Sequence, residues 1–212
     1  MRSARRQGKL RQDDGLERGE RGRGPGNRPA CTRGAFRSRF WCSETQYPFD
    51  CVSDAASGAG AWADATIRPN ALIALAEDAS LFDAEQADSI LRWVRAELLT
   101  PRGLRSMAPR EPGYRGHYEG PPEDRGSSYH QGTAWTHLLG YFVRASVQRD
   151  PDDLVLRDEL RDRIEDALEN TAVHGHIAQL ADGEAPHRPR GCPAQAWSVA
   201  ELTRALVDDL GV

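Results

Sequence analysis

The sequence has almost no lysine, no paired cysteines and no long apolar run. Lys9 is its only lysine, so nearly all of its cationic residues are arginines. Cys31, Cys42, Cys51 and Cys192 are spread apart without a CxxC pair, which argues against a zinc site. No apolar stretch is long enough for a secretory signal or a membrane span. We therefore expect a cytoplasmic protein that keeps its thiols free and does not bind a membrane.

Charge is distributed unevenly along the chain. Residues 1–50 carry twelve Lys or Arg against six Asp or Glu, whereas the remaining residues carry sixteen against twenty-six. This acidic body lacks the clustered cations that phosphate contacts require, so we expect no nucleic-acid partner. Residues 1–34 are rich in Arg and Gly and have little to bury, which predicts a disordered extension before a folded domain over residues 35–212. A basic arm that contacts nucleic acid is the alternative for this extension.

From about residue 35, the apolar residues follow a helical spacing. Asp83 and Gln86 have the spacing of a capping box and precede an apolar stripe from Ala87 to Leu98. Similar spacing marks helical stretches near residues 66–75, 135–149, 156–168 and 194–206. Strand-like alternation is nearly absent, so we predict an all-α fold with five or six helices.

Two long segments, residues 101–130 and 173–193, separate these helices. Links between helices usually take only a few residues, so neither segment is a simple connector. Both are dense in Gly, Pro, Tyr, His, Arg and Asp. Long polar and aromatic loops on a helical scaffold are typical of a binding site.

The two segments and their flanks carry several short motifs. They are DATIRPN at residues 64–70, YHQGT at 129–133, RPRGC at 188–192 and QAWSVAEL at 195–202. In this order they closely resemble motifs near the C-terminus of prokaryotic glycogen-debranching enzymes of the amylo-α-1,6-glucosidase family. The resemblance covers about residues 35–207.

The resemblance implies a catalytic (α/α)6 barrel of twelve helices, of which the predicted helices make about half. It also implies hydrolysis of α-1,6-glucosidic branches in glycogen or another branched α-glucan, with no cofactor. The family's earlier half, which supplies an acidic catalytic residue, has no counterpart in the sequence. The chain is therefore expected to be inactive alone, and a separately encoded first half or a second copy in a homodimer is a possible partner.

The residues of the long segments suit a sugar site. Tyr and Trp rings stack on the apolar faces of pyranoses, while Arg, His, Gln and Glu bond to hydroxyls. By resemblance, the expected substrate-binding residues are Tyr118, Glu119, Tyr129, His130, Gln131, His187 and Arg190. For residues 129–131, packing at the start of a helix is the alternative. Trp135 and Trp197 are expected in the core.

The sequence departs from the family at one position that matters for catalysis. Just before the final helix, where the family usually has a glutamate placed like a catalytic base, the chain has Gln179. An amide is not a useful base. Either Gln179 marks a weakened or inactive site, or another carboxylate, Asp182 or Glu184, acts as the base. The catalytic candidates are thus Asp182 and, by position, Gln179. We interpret the chain as a portion of a debranching enzyme. The two alternative interpretations are a non-catalytic glucan-binding relic of the enzyme and a pseudogene product.

Overall fold

The computed structural model describes residues 28–54, 60–173 and 175–212. Residues 1–27 of the predicted disordered extension lie outside the described part of the chain. Residues 28–34 begin helix α1 (Arg28–Phe40), so the domain boundary predicted after residue 34 falls inside a helix.

Helices make up most of the regular structure. In the described ranges they are α1, α2 (Asn70–Glu77), α3 (Ala84–Trp93), α4 (Pro122–Ser128), α5 (Leu138–Arg149), α6 (Leu154–Thr171) and α7 (Ala196–Arg204). Short π-helical segments extend α3 over Val94–Leu98 and α7 over Ala205–Leu210. Each helical stretch predicted from the apolar spacing overlaps one of these helices, and α1 and α4 are additional to the prediction.

Local chemistry explains where two of the helices begin and end. The Asp83 side chain accepts a hydrogen bond from the Gln86 backbone N–H at 2.8 Å, and the Gln86 side chain accepts one from the Asp83 N–H at 3.1 Å. These two bonds complete the predicted capping box of α3. Helix α5 ends shortly before Pro151, which has no N–H to continue it. It begins at Leu138 and not near Trp135, because Trp135 lies in a strand.

Helix α5 lies at the centre of the helical part and packs against α2, α3, α6 and α7. Its side chains Leu139, Phe142 and Val143 are almost fully buried, and burial of such apolar surface stabilises the fold by roughly 25 cal/mol per Å². Gly140 lets α7 come close, because a Cβ there would lie 2.7 Å from the Glu201 carbonyl oxygen. No helix in the described ranges is long and apolar enough to cross a membrane.

The prediction of a purely α fold needs a correction, because short strands accompany the helices. They are β1 (Trp41–Cys42), β2 (Tyr47–Pro48), β3 (Cys51–Ser53), β4 (Trp62–Asp64), β5 (Leu99–Thr100), β6 (Gly103–Arg105), β7 (Ala134–Trp135), β8 (Ala172–Val173), β9 (His176–Ile177), β10 (Leu180–Ala181) and β11 (Pro189–Arg190). A strand of two or three residues is too short to show alternation, so the sequence carries no period-two signal for it. The fold is predominantly helical with short antiparallel sheets.

Five of these strands form one sheet in the order β11, β10, β7, β6, β5. Trp135 of the central strand β7 lies opposite Leu104 of β6 and Leu180 of β10. Strands β6 and β7 flank most of the first long segment, while β10 and β11 belong to the second. The sheet therefore brings the two segments together, although residues 131–172 separate them in the chain.

Candidate functional site

The hairpin of β10 and β11 sets the position of both catalytic candidates. The Gln179 N–H donates to the Cys192 carbonyl at 2.9 Å, and the Asp182 N–H donates to the Arg188 carbonyl at 2.9 Å. These bonds extend the pairing of Leu180 with Arg190 at both ends of β10. Gln179 and Asp182 are thus held by backbone geometry on either side of a two-residue strand.

Asp182 is the centre of a buried polar group, which we call the Asp182 cluster and define as Tyr118, Asp182 and Arg190. The Arg190 guanidinium donates from Nε and Nη2 to the Asp182 carboxylate at 2.9–3.1 Å. The Tyr118 backbone N–H donates to the same carboxylate at 2.8 Å. Glu119 lies 3.6 Å from Arg190 Nη2, and His117 Nδ1 lies 4.0 Å from Asp182. The bond from the Tyr118 N–H to Asp182 thus ties the first long segment to the second, and Arg190 holds the Asp182 carboxylate in place.

The contacts of Asp182 define what its carboxylate can do. Its side chain is 2% exposed, and both of its oxygens accept hydrogen bonds from protein groups. A carboxylate must bond a water molecule before it can activate that water, and burial among protein donors leaves little room for one. The geometry therefore favours a positioning role for Asp182, in which it orients Arg190 and the backbone at Tyr118.

Gln179 takes part in a second set of contacts beside the Asp182 cluster. Its Nε2 donates to the Tyr129 hydroxyl at 2.6 Å, and its Oε1 accepts from the Cys192 N–H at 3.2 Å. The Tyr129 ring in turn lies 5.8 Å from the Tyr118 ring, measured between centroids. A hydroxyl and a backbone N–H can both donate, so a carboxylate in place of the amide would accept from both groups. The surroundings of position 179 are therefore compatible with a glutamate side chain.

A pocket of about 550 Å³ is lined by residues next in sequence to Tyr118 and Tyr129, whereas Tyr118, Tyr129 and Gln179 do not line it themselves. It is lined by Tyr114, Arg115, Gly116, His117, Glu119, Asp124, Ser128 and Glu184. The Tyr114 hydroxyl donates to Glu184 at 2.7 Å, and burial, with the added effect of Glu184, raises the pKa of Tyr114. Glu119, Asp124 and Glu184 thus contribute carboxylates to the pocket lining, whereas Asp182 does not line it.

Three of the predicted binding residues lie at the edge of this arrangement. His130 stacks on Trp135 with a centroid distance of 5.2 Å and an interplanar angle of 3°. Partial burial, and the nearby Arg68 charge, lower the pKa of His130. Gln131 accepts from Arg68 at 3.0 Å, and His187 Nδ1 lies 3.0 Å from the Asp182 carbonyl oxygen. These side chains contact the protein around the site.

Arg68 is a site-supporting residue that the sequence reasoning did not single out. Its guanidinium donates to the carbonyls of Ser106 and His130 as well as to Gln131, and it lies 3.5 Å from Asp50. It therefore fixes the start of the YHQGT motif from a distant part of the chain. The only signal for it in the sequence is its place in the DATIRPN motif, because no spacing relates residue 68 to residue 130.

The structure brings together most of the residues predicted from the two segments. Five of them converge on the end of the five-stranded sheet: Tyr118, Glu119, Tyr129, Gln179 and Arg190. Three more surround this group, namely His130, Gln131 and His187. The expectation for the two tryptophans was right for Trp135, which is buried. It was wrong for Trp197, which is 46% exposed.

Comparison with known proteins identifies the family. The sequence profile described as amylo-alpha-1,6-glucosidase matches residues 29–204. The glycogen debranching enzyme of Saccharomyces cerevisiae is 36% identical over 88 residues, which are 39% of this chain and 6% of the yeast enzyme. The chain thus aligns with only a small part of that relative. Because the profile spans most of the sequence, including both long segments, the chain belongs to the amylo-alpha-1,6-glucosidase family.

Proposed function

We propose that the chain is a portion of a glycogen or α-glucan debranching enzyme that binds branched α-glucan and does not hydrolyse it alone. The observation that carries the proposal is the convergence of Tyr118, Tyr129 and Gln179 beside a pocket of about 550 Å³. Aromatic faces next to fixed amide, carboxylate and guanidinium groups are what a pyranose ring needs for stacking and hydroxyl recognition. Family membership supports an α-linked glucose polymer as the proposed ligand class.

The Asp182 cluster holds side chains of this site in fixed orientations. A bidentate arginine–carboxylate pair is both strong and directional, so Arg190 keeps one orientation while its exposed edge stays near Glu119. Gln131 and His130 are held through Arg68. A binding surface whose side chains are already fixed loses less entropy when it takes up a ligand.

Three observations favour absence of hydrolysis by the chain alone. Inverting glycoside hydrolysis needs one carboxylic acid and one carboxylate base. Gln179 supplies an amide where the family usually has a glutamate, and Asp182 is buried and fully engaged. Glu184 is the remaining candidate base, and its bond to Tyr114 orients it along the wall of the pocket.

The same proposal covers the larger assembly. We place helices α2 to α7 in part of an (α/α)6 barrel, which is consistent with the packing of α5 against four other helices. Further helices, from another segment, a separate chain or a second copy, would supply the acidic catalytic residue. Glycogen is a cytoplasmic polymer, so the proposed location is the cytoplasm, without nucleic-acid or membrane partners.

The proposal is tested by binding and activity measurements on the same preparation. Isothermal titration calorimetry with maltoheptaose should show binding, which should be weakened in Tyr129→Ala. A branched limit dextrin should release no measurable glucose. Measurable glucose release by the wild type would contradict the proposed inactivity, and its loss in Asp182→Asn or Glu184→Gln would identify that carboxylate as the base. Absence of maltoheptaose binding would contradict the proposed function.

Gln179 also favours a second candidate, a glucan-binding relic of the enzyme. An activity assay distinguishes the two candidate functions. In it, the remainder of a family catalytic domain is added either to the chain or to its Gln179→Glu variant, and glucose release is measured. A debranching-enzyme portion should gain glucose release with the variant, because Tyr129 and the Cys192 N–H can both donate to the new carboxylate. A relic should bind glucan in every combination and release none.

A further inference from the structure

Trp197 is a large aromatic side chain that the site described so far does not use. It is in the first turn of α7, and it is 46% exposed although tryptophan is mostly buried in folded proteins. Its ring stacks on His137 with a centroid distance of 4.9 Å and an interplanar angle of 25°. Burial lowers the pKa of His137, so near neutral pH an uncharged imidazole supports the exposed indole.

Ring contacts connect Trp197 to the proposed glucan site. The centroid of Trp135 lies 5.9 Å from that of Trp197 and 4.9 Å from that of Tyr129. Tyr129 is in contact with Tyr118, and its hydroxyl accepts a hydrogen bond from Gln179 Nε2. Two ring-to-ring steps therefore separate the exposed indole from the centre of the site, a span that suits neighbouring units of one short oligosaccharide.

The fold holds Trp197 in this place through contacts that do not involve its ring. The Ser198 hydroxyl donates to the Ala178 carbonyl at 3.1 Å, which ties α7 to the residue next to Gln179. Leu202 is fully buried, and Gly140 gives α7 its close approach to α5. Because these contacts anchor the helix, the exposed part of the indole is not needed to pack α7 onto the core.

We infer that Trp197, stacked on His137, is a second sugar-stacking platform that binds a glucose unit of a linear α-1,4-linked oligosaccharide beyond the Tyr118–Tyr129 site. This inference rests on the proposed glucan-binding function and extends it to chain length. An exposed indole offers a wide apolar face to a pyranose.

The platform makes binding depend on the length of the oligosaccharide. A short ligand such as maltotriose fills the Tyr118–Tyr129 site and gains little from Trp197. A longer ligand such as maltoheptaose reaches both places, so its additional affinity over maltotriose comes from the indole. A helix-packing role for Trp197 predicts instead that substitution changes stability and leaves this length dependence unaltered.

The test compares Trp197→Ala with Val199→Ala in the full chain. Val199 is on the same helix and is 47% exposed, so it is a control for loss of exposed apolar surface from α7. Calorimetric titration should show maltoheptaose affinity reduced roughly three- to tenfold in Trp197→Ala, while maltotriose affinity stays within twofold of the wild type. Val199→Ala should bind both ligands like the wild type. Trp197→Phe keeps an aromatic face and should retain most of the affinity while losing the change in tryptophan emission on titration.

The outcomes separate this inference from the function on which it rests. If the wild type binds neither oligosaccharide, the proposed function fails, and the platform fails with it. If the wild type binds maltoheptaose and Trp197→Ala binds it equally well, or if the emission change on titration persists in Trp197→Phe, the platform is wrong and the glucan site stands. Light scattering adds one more check: a change of oligomeric state in Trp197→Ala with unchanged sugar affinity would assign Trp197 to contact with another copy.

Discussion

The Asp182 cluster and α7 differ in which side chains they bury: the cluster buries a charged group, whereas α7 exposes apolar ones. In the cluster, a carboxylate that is 2% exposed is surrounded by protein donors. What we call the α7 face is the set of exposed apolar side chains of α7 and its extension, namely Trp197, Val199 and Val207, which are 46–56% exposed and lie on more than one side of the helix. Globular proteins usually bury apolar groups and expose charges. The cluster is thus a self-contained support, whereas the α7 face leaves apolar side chains exposed.

The largest effect is expected from a methyl group added where the two long segments meet. A Cβ at Gly183 would overlap the Gly132 carbonyl oxygen and approach the Tyr114 hydroxyl. Gly183→Ala must move backbone in the packed region, and we expect it to lower the free energy of unfolding by about 3 kcal/mol or more. Gly126→Ala is the control, because nothing lies within 4 Å of a Cβ in that part of α4. Urea unfolding curves should show no loss for the control and a gain of up to about 1 kcal/mol from helix propensity.

The second effect tests whether Asp182 is a support. Asp182→Asn keeps the shape of the side chain but removes the charge that faces Arg190. Breaking a fully buried pair costs about 3 to 5 kcal/mol, and Arg190 is partly exposed, so we expect a loss of roughly 2 to 3 kcal/mol in urea. Asp158→Asn, which removes an exposed pair with Arg161, should change stability by less than about 1 kcal/mol. Equal effects of the two substitutions would show that the cluster is not a buried support.

The helices around this support follow from local sequence. The capping box at Asp83 and Gln86, and the apolar stripe that follows it, act within one helical turn or a few turns, so both are visible in a single sequence. The same holds for α6, whose apolar residues repeat every four positions. Local signals of this kind predicted the helical scaffold.

The sheet and the roles of single residues depend on distant parts of the chain. Strands of two residues have no period, and Leu104, Trp135, Leu180 and Arg190 become neighbours only through pairing across the chain. The motifs indicated that residues 118–131 and 179–190 belong to one site. They did not indicate that Asp182 is buried, or that Trp197 is exposed, because burial is set by what the rest of the fold places around each side chain.

The third prediction concerns His137, which lies between the support and the α7 face. Burial lowers its pKa below the ordinary value of 6.5, against the opposing effect of Glu201, and its Nδ1 has no hydrogen-bond partner in the described structure. The unfolded chain therefore binds more protons as the pH falls below 6.5. The contribution of neutral His137 to stability is complete above that pH and decreases below it.

Urea unfolding at a series of pH values checks this expectation. Stability should fall as the pH drops from 6.5, and His137→Phe, which keeps an aromatic ring against Trp197, should reduce that slope. His176→Gln, at an exposed position of β9, is the control and should keep the slope. Because burial also lowers the pKa of His130, the variant should leave part of the slope in place. An unchanged slope in His137→Phe would contradict the assignment.

The smallest effect on stability is expected on the α7 face, where it decides whether this surface is open. Val207 is 56% exposed, so Val207→Ser removes little buried area and should alter the free energy of unfolding by no more than about 0.5 kcal/mol. Leu202 of α7 is fully buried, so Leu202→Ala should lower the free energy of unfolding by about 2 to 5 kcal/mol under the same conditions. Exposed apolar residues favour self-association, so the serine should also lower the aggregation seen by light scattering at high protein concentration. A loss of 1 kcal/mol or more in Val207→Ser would mean that α7 is already covered, and the contrast with the Asp182 cluster would then disappear.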